Sequence, residues 1–446
     1  MKLQQGGTNL SMLKRIPLFP LNTIVNDQGH LVIGGCDTTA LAAEFGTPLY
    51  IYDESTLRAK CREFREEFGK RYPDVQIIYA SKAYSNAALL RLVNEEGLGL
   101  DVVSEGEIGI AESAKFPMKN VYFHGNNKSP RELEIALRQH IGRIVVDNFH
   151  ELELLEELTA ELCIKQDILL RITPGVDPHT HQFTSTGSLD SKFGFPLPLK
   201  EQAVAKALKV RGLNVVGLHF HIGSLIFEPE PYVESVKFVI NFAAEMHKKY
   251  GLELKELDTG GGFAVQYTLD QPALPFAAFA EQITTAINTE CKRHGLTLPK
   301  LIIEPGREIV AQAGVALYTI GVIKEIPGVR TYVSVDGGMG DNICPALYGE
   351  KMEAVLVNRM RARDAGKVTI SGKFCESGDV LIRDIIMPKI AGGDILAVAV
   401  AGAYSIPESM NYNAFYKPAV VLVKNGQAKL IRRRETLADI TRCDQL

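Results

Sequence analysis

Short apolar runs of strand length recur between residues 76 and 304, and a helical pattern of apolar and polar positions follows nearly every run. The apolar runs predict eight strands, at 76–80, 98–103, 121–124, 144–147, 168–173, 215–222, 254–259 and 301–304. Strands that are apolar on both faces are typical of a parallel sheet covered by helices. Eight such strands in alternation with helices indicate an α/β fold, a TIM (β/α)8 barrel rather than an open sheet.

Helical patterns occupy the intervals between these runs, at 84–96, 105–115, 129–140, 149–162, 198–210, 231–250 and 275–294. The run at 301–304 has no helical pattern after it. A highly charged helix is instead predicted at 54–72, ahead of the first barrel strand and behind a strand at 49–52. We expect this helix to close the ring of helices around the barrel.

The pattern changes to β-rich after about residue 310. Apolar runs lie at 315–322, 332–336, 367–371, 395–401 and 419–424, and glycine turns separate them. This pattern predicts a second, mostly antiparallel β domain, which the extended pieces before residue 45 join. We therefore predict an N-terminal tail at 1–16, a β domain at 17–45 and 310–446, and an inserted barrel at 46–309.

Composition excludes several classes of function for this chain of 446 residues. A net charge of −4 gives no basic surface for nucleic acid, and the basic run 432–434 is too short to provide one. No apolar stretch reaches the length of a membrane span, and the N-terminus lacks the apolar core of a signal peptide. The seven cysteines are scattered without a Cys-x-x-Cys pair, which argues against a zinc site or disulfides. We expect a cytoplasmic protein without a metal.

Lys82 is the polar residue at the end of the first barrel strand. Burying an unpaired ammonium is costly, so its amine either reaches a polar rim or pairs with a carboxylate, or it serves chemistry. A partly desolvated lysine has a lowered pKa and becomes a nucleophile that forms Schiff bases. In a TIM barrel the chemistry lies at the C-terminal ends of the strands, which is where Lys82 is predicted to lie.

Other strand ends carry residues that suit one cofactor. Backbone N–H groups at 260–262 and at Gly223–Ser224 suit a phosphate, to which Arg307 adds charge. Glu304 is an acid on an apolar strand, and His221 offers an aromatic plane beside the glycine loop. An amine, a phosphate cradle and a carboxylate for a ring nitrogen together match pyridoxal 5′-phosphate.

Six motifs resemble those of the fold-type III pyridoxal-phosphate decarboxylases, in that family's order and over about residues 46–418. They are Tyr79-Ala80-Ser81-Lys82-Ala83, His221-Ile222-Gly223-Ser224, Gly260-Gly261-Gly262-Phe263, Glu304-Pro305-Gly306-Arg307, Cys375-Glu376-Ser377-Gly378-Asp379 and Gly402-Ala403-Tyr404. The resemblance implies a carboxy-lyase with a barrel and a β domain. The elements 191–194 and 345–348 favour the branch that converts meso-2,6-diaminopimelate to L-lysine and CO2, the last step of lysine biosynthesis, over the ornithine and arginine branches.

The resemblance also implies roles for the matching positions. Lys82 would hold the cofactor as a Schiff base, His221 would stack on its ring, Glu304 would pair with its ring nitrogen, and Cys375 would donate a proton. The implied cofactor-binding residues are Lys82, Asp101, His221, Gly223, Ser224, Gly261, Gly262, Glu304, Gly306, Arg307 and Tyr404. The implied substrate-binding residues are Arg307, Tyr348, Glu376 and Tyr404. Cys375 and Glu376 would reach the site from a partner subunit, which implies a homodimer with shared active sites.

The chain departs from the family pattern at two positions. Cys344 stands where the family usually has an arginine that grips a substrate carboxylate, and Leu225 stands where many members have glutamine. A thiol cannot replace a guanidinium, and either Lys351 or Arg359 could compensate. Three alternatives therefore stay open: a decarboxylase of an ornithine-type, carboxynorspermidine-type or carrier-linked amino acid, an isomerase like alanine racemase, and a binding protein without catalysis. Glu304 disfavours the isomerase, which pairs its ring nitrogen with an arginine.

Overall fold

The computed structural model of the protein describes residues 10–176 and 191–445. Its strands in chain order are β1 Ile24–Val25, β2 Leu31–Ile33, β3 Cys36–Asp37, β4 Leu49–Asp53, β5 Val75–Ala80, β6 Gly99–Val102, β7 Val121–Phe123, β8 Arg143–Val146, β9 Gln166–Arg171, β10 Leu213–His219, β11 Glu256–Asp258, β12 Lys300–Ile303, β13 Gly314–Ile326, β14 Arg330–Val335, β15 Ala354–Leu356, β16 Asp364–Ser371, β17 Val380–Pro388, β18 Ile395–Val398, β19 Ala419–Lys424 and β20 Gln427–Arg432.

The α-helices of the same residues are α1 Ser11–Lys14, α2 Thr38–Phe45, α3 Glu54–Gly69, α4 Ala87–Glu95, α5 Glu105–Ser113, α6 Pro130–Arg138, α7 Phe149–Leu162, α8 Lys200–Ala207, α9 Glu230–Tyr250, α10 Phe276–His294, α11 Arg307–Val310, α12 Cys344–Tyr348 and α13 Leu437–Thr441. The longest of them lie in the segment between residues 54 and 294. No helix of the described residues combines the length and the apolar character needed to cross a membrane.

The residues fall into two compact units. The barrel unit comprises the described parts of Arg58–Ala264 and Ala273–Glu308. The sheet unit comprises the described parts of Met1–Leu57, Val265–Pro272 and Ile309–Leu446. Both units are discontinuous in sequence, because Val265–Pro272 of the sheet unit interrupts the barrel unit, and the barrel unit interrupts the sheet unit.

The barrel unit is built on the eight predicted parallel strands. They close in the order β10-β11-β12-β5-β6-β7-β8-β9, which confirms the predicted barrel. Apolar side chains from six strands form one buried cluster, which consists of Ile78, Tyr122, Val145, Leu169, Val216 and Ile302. Because the strands are parallel, their carboxyl ends all meet at one rim of the barrel, and that rim is where the polar strand ends converge.

Capping residues a few positions after the strands fix where the next helices begin. Asn86, Ser104, Ser129 and Asn148 cap α4 to α7, and each side chain accepts a hydrogen bond from a backbone N–H of the first turn. Such caps are worth about 1 kcal/mol each, and they set the point at which each strand-end loop stops. The short loops between strand and cap therefore hold the rim residues in fixed positions.

Helix α3 packs beside the last long barrel helix, as its predicted role in closing the ring requires. The ring of Phe64 lies 4.3 Å from that of Phe276 at the start of α10, and 5.7 Å from that of Phe263. After β12 the chain forms only the short helix α11.

The main sheet of the sheet unit runs in the order β17-β16-β14-β13-β4-β19-β20, with β18 on β13 and β15 on β18. Its pairs are antiparallel except β14 with β16 and β19 with β4, so the predicted mostly antiparallel domain is confirmed. Strand β4 belongs here, between β13 and β19, although we placed residues 49–52 in the barrel segment. All five β4 residues are buried, and a fully buried strand has the same pattern in a barrel and in a central sheet position.

Candidate active site

Lys82 lies on the turn that follows β5, at the carboxyl rim of the barrel. The turn is anchored on both sides: the Ala80 N–H donates to the Pro305 carbonyl (3.1 Å), and the Tyr79 hydroxyl donates to the Tyr84 carbonyl (2.7 Å). The lysine side chain itself is exposed. Lys82 is therefore exposed at the rim, on a turn that hydrogen bonds anchor on both sides.

Glu304, at the end of β12, is surrounded by histidines. Its Oε1 lies 3.0 Å from Nε2 of His124, and its Oε2 lies 3.5 Å from Nε2 of His219. The two imidazole rings meet edge to face, with centroids 5.0 Å apart. All three side chains are buried.

These neighbours keep Glu304 ionised. Burial by itself would raise the pKa of this carboxyl, but the attraction of His124 and His219 outweighs it and lowers the pKa well below the usual value. Burial lowers the pKa of His219 to about 3, although the charge of Glu304 acts in the opposite direction. The arrangement offers a fixed carboxylate to a cationic ring nitrogen, which is the partner predicted for Glu304.

Two further acids at the rim are buried, and their pKa values are shifted in the opposite direction to that of Glu304. Burial raises the pKa of Asp101, at the third position of β6, and raises that of Asp258, at the end of β11, well above the usual value. The second-largest cause for Asp258 is the charge of Glu304. Asp258 also accepts a hydrogen bond from the Gly260 N–H (2.9 Å). The rim therefore holds one carboxyl whose pKa is lowered beside a second whose pKa is raised.

The glycines after β11 form a close backbone cradle. A Cβ on Gly261 would lie 1.9 Å from the Glu304 carbonyl oxygen, and one on Gly262 would lie 1.9 Å from the Gly223 carbonyl oxygen. Only glycine fits at either position, and the loop after β10 approaches the loop after β11 directly. The Gly261 N–H donates to Nδ1 of His221 (3.2 Å), which fixes the plane of that ring.

Gly306 and Arg307 lie beside this cradle, at the end of β12. Arg307 is buried, and a Cβ on Gly306 would meet the Cβ of Ala80 at 3.0 Å, next to the Lys82 turn. The Gly306 N–H donates to Oε2 of Glu308 (2.8 Å). Sequence reasoning did not select Glu308, although it lies two residues beyond a predicted phosphate-binding position.

Arg171 is a further rim residue that the sequence prediction left out. It ends β9, lies 3.9 Å from a carboxylate oxygen of Asp147, and is 4.4 Å above the ring of Phe193. Its charge acts on both Asp101 and His221. The signal that selected Lys82, a polar residue at the end of an apolar strand, would also have selected Arg171, His124 and His219.

The sheet unit holds the other predicted site residues. Cys375 and Glu376 are exposed on the loop between β16 and β17, where the Cys375 N–H donates to Oδ1 of Asn413 (2.8 Å). Tyr348 ends α12 and is half-buried, as is Tyr404. Cys344, at the start of α12, is buried. Part of the stretch before Ser191, at 187–190, lies outside the described residues.

The barrel rim fits pyridoxal phosphate chemically. Asp101 Oδ1, His219 Nδ1 and Asp258 Oδ2 are buried, and none of them has a hydrogen-bond partner among the described residues. A ligand with polar groups would satisfy such atoms, which are costly to leave alone. The amine, the ionised carboxylate and the glycine cradle match the aldehyde, ring nitrogen and phosphate. His124, His219 and Glu304 also present donor atoms within 4.8 Å of one another, a set that metal ions use, but the first and last of them already pair directly.

Comparison with known proteins gives a consistent result over nearly the full chain. Residues 54–311 match the family described as pyridoxal-dependent decarboxylase, pyridoxal binding domain. The diaminopimelate decarboxylase of Bacillus subtilis (strain 168) is 47% identical over 421 residues, which cover 94% of this chain and 96% of that protein. The diaminopimelate decarboxylase of Staphylococcus aureus (strain COL) is 40% identical and covers 93% of this chain and 97% of its own length.

Solved structures with a similar fold also cover nearly the full chain. Diaminopimelate decarboxylase from M. jannaschii, in complex with L-lysine, has a TM-score of 0.89 and 35% identity, over 95% of this chain and 98% of its own. The Helicobacter pylori diaminopimelate decarboxylase with L-lysine has a TM-score of 0.84 and 31% identity, over 91% of this chain and 98% of its own.

Proposed function

We propose that this chain, which belongs to the family of the pyridoxal-dependent decarboxylases, converts meso-2,6-diaminopimelate to L-lysine and CO2 with pyridoxal 5′-phosphate as its cofactor. The observation that carries the chemistry is the convergence of Lys82, Glu304 and the glycine cradle on one rim of the barrel. The choice of substrate rests on curated diaminopimelate decarboxylases that are 39–47% identical over more than nine-tenths of this chain.

Each rim residue has a defined task in this proposal. Lys82 would hold the cofactor covalently through its amine, Ser224, Gly262 and the backbone around Gly306 would hold the phosphate, and His221 would lie against the ring. When bound, the cofactor supplies an electron sink for the carbanion that loss of CO2 leaves. Glu304 supports this chemistry because an ionised carboxylate holds a proton on the nitrogen that it faces.

The proton that completes the product would come from Cys375. This thiol is exposed within a single chain, as is the neighbouring Glu376. A proton donor needs a defined position next to the reacting carbon, and an exposed loop obtains one when a second subunit covers it. We therefore propose a homodimer in which Cys375 and Glu376 complete the partner's site. We place it in the cytoplasm, which agrees with seven cysteines that are all free thiols.

Substrate recognition has to work without an arginine at position 344. Arg359 is not the replacement, because it binds Asp394 and also donates to the Lys389 carbonyl (3.0 Å). Of the two cations near this motif in sequence, Lys351 remains, and it is exposed. We propose that Lys351 contributes to binding of the distal carboxylate, together with Tyr348.

Release of CO2 from meso-diaminopimelate, ornithine and arginine by the purified protein tests this function. We expect turnover of meso-diaminopimelate alone, with L-lysine as the product. The Lys82→Ala variant should lose both turnover and the visible absorbance of the bound cofactor. Cofactor absorbance with no turnover of any of the three would refute the proposed substrate and favour a carrier-linked or acylated amino acid.

The Cys344→Arg variant separates the two substrate classes. If the distal carboxylate is bound by other groups, the arginine adds little and KM for meso-diaminopimelate changes less than about threefold. A large fall in KM on adding the arginine would show that the native chain is not adapted to this dicarboxylic substrate.

A further inference from the structure

A carboxylate of this chain lies in the place where the proposed function puts a phosphate. Oε2 of Glu308 accepts the Gly306 N–H (2.8 Å), and the backbone N–H of Phe263 is close enough to lower the pKa of the same carboxyl. Gly306 belongs to the loop after β12, and Phe263 to the loop after β11. Glu308 therefore accepts a backbone N–H from the loop after β12, and the backbone of the loop after β11 acts on the pKa of the same carboxyl.

The carboxyl of Glu308 is poorly satisfied in this position. The residue is 2% exposed, and its Oε1 has no hydrogen-bond partner within the described part of the chain. Burial raises the pKa of Glu308 to about 7, although the Gly306 N–H and the charge of Arg307 act in the opposite direction. Burying a carboxylate with one unbonded oxygen is costly. A carboxylate in the cradle also uses a backbone N–H group that another anion would need.

Among the described residues, one guanidinium and one phenol interact electrostatically with Glu308. Arg307 precedes it on the same turn, and on α9 burial first, and then the charge of Glu308, raises the pKa of the Tyr232 phenol. The Tyr232 hydroxyl donates to the Gly261 carbonyl (2.7 Å) and so links α9 to the cradle. Arg307 is thus the cation that a phosphate and Glu308 would share.

We propose that Glu308 is an internal competitor of the cofactor phosphate: its carboxylate occupies part of the backbone anion cradle and weakens retention of pyridoxal phosphate. This inference rests on the proposed function, because it assumes that the cofactor phosphate binds between the loops after β11 and β12. Two anions that share one set of N–H groups repel each other, and neutralising one of them strengthens binding of the other.

The sign of the pH dependence follows from the state of Glu308. Below pH 7 the carboxyl is largely neutral and does not oppose a phosphate, whereas above pH 7 it is ionised and does. The phosphate itself gains its second charge near pH 6, but this change is common to all variants and cancels in a comparison. Retention of the cofactor should therefore weaken from pH 6 to pH 8.5 in the native chain, relative to a variant that is neutral at position 308.

The experiment measures the dissociation constant of pyridoxal phosphate for the apoprotein, in the native chain and in Glu308→Gln, at several pH values. Glutamine keeps an oxygen acceptor for the Gly306 N–H and removes the charge. We expect binding to Glu308→Gln to be about tenfold tighter at pH 8.5 and within about twofold of the native value at pH 6. Glu290→Gln, which neutralises a buried carboxylate on α10 away from the rim, should leave the dissociation constant unchanged.

Pyridoxal, which lacks the phosphate, is the ligand control. Equal affinities of the native chain and Glu308→Gln for pyridoxal phosphate at pH 8.5, or the same gain with pyridoxal, would overturn the inference and leave the proposed function intact. Failure of the native chain to bind either compound would refute the proposed function itself. If Glu308→Gln does not fold, Glu308→Ala takes its place: it also removes the charge, so the same gain in affinity for pyridoxal phosphate at pH 8.5, and no gain with pyridoxal, is expected.

Discussion

Two acids at neighbouring strand ends of the barrel, Glu304 and Asp258, have pKa values that shift in opposite directions because their neighbours differ. Glu304 faces His124 and His219, whose attraction lowers its pKa well below the usual value. Asp258 is wholly buried, and its pKa is raised by burial first and then by the charge of Glu304. The surroundings therefore favour the ionised form of Glu304 and the protonated form of Asp258.

This contrast predicts opposite results for two substitutions of the same kind. Glu304→Gln removes the charge that holds a proton on the ring nitrogen, so kcat should fall at least about a hundredfold. Asp258→Asn exchanges a neutral carboxyl for a neutral amide whose oxygen can still accept the Gly260 N–H, so kcat should change less than about fivefold.

Steady-state rates and the absorbance spectrum of the loaded enzyme check both variants of this pair. The spectrum should shift in Glu304→Gln, because the ring nitrogen loses its proton, and should stay native in Asp258→Asn. Equal losses of activity in the two variants would contradict the assigned charge states.

The sequence predicts some of these residues and cannot predict others. Lys82 and Glu304 stand out because each is charged and ends an apolar run. Asp258 ends an apolar run too, but its raised pKa depends on burial and on the charge of Glu304 nearby, which the sequence does not contain. Glu308 resembles an ordinary residue of a first helical turn until the fold brings the Phe263 loop beside it.

At the scale of elements, a buried lysine ties together the segments that position His124. Lys128 Nζ donates to the Gly125 carbonyl, the Val145 carbonyl and Oε1 of Glu151, each at 2.8 Å. The second oxygen of Glu151 accepts the Asp147 N–H (3.0 Å). One ammonium thus connects the loop after β7 to strand β8 and helix α7, with side-chain exposures of 1% for Lys128 and 2% for Glu151.

Lys128→Met should destabilise the protein by about 3–5 kcal/mol, because it leaves Glu151 buried without its cation. Urea unfolding followed by circular dichroism measures the loss. The surface pair Lys206–Glu153 is the matched control: Lys206→Met should cost less than about 1 kcal/mol. The double variant Lys128→Met, Glu151→Leu should recover part of the lost stability, because it removes the unpaired charge but still leaves the Gly125 and Val145 carbonyls without their donor. A double variant as unstable as the single one would show that the charge pair is not the cause.

The sequence pattern predicts most of the strands and helices correctly, and strand β4 is the exception in its place in the fold. The eight barrel strands follow from apolar runs that alternate with capped helices, and each has a partner in the predicted order. Strand β4 has the same apolar run and is followed by a helix in the same way, yet it pairs with β13 and β19. The hydrophobic pattern of β4 shows that both faces of the strand are buried. It does not show which strands pair with β4, because β13 and β19 lie more than 250 residues further along the chain.

At the scale of the whole molecule, the predicted site residues are divided between the two units. Lys82, His221 and Glu304 belong to the barrel unit, and Cys375 and Glu376 belong to the sheet unit. Because Cys375 is exposed in the single chain, its proton would exchange freely with water unless a second copy covers it. A homodimer with shared sites therefore predicts that two inactive variants can rescue each other.

Hybrids of Lys82→Ala and Cys375→Ala chains test this prediction. Each homodimer lacks one essential group in both sites and should be nearly inactive. In a hybrid, one site combines both substitutions and the other combines a native Lys82 with the partner's native thiol. Random equal mixing makes half of the dimers hybrids with one intact site in two, so activity should reach about a quarter of the native value.

The control hybrid pairs Lys82→Ala with Glu304→Gln, two substitutions in the same barrel unit. If each barrel forms its own cofactor site, every site in this hybrid carries one of the two defects, and activity should stay at the level of the parents. Recovery in the first mixture alone would place the proton donor on the partner chain. No recovery in the first mixture would mean that Lys82 and Cys375 serve from one chain, or that another group donates the proton.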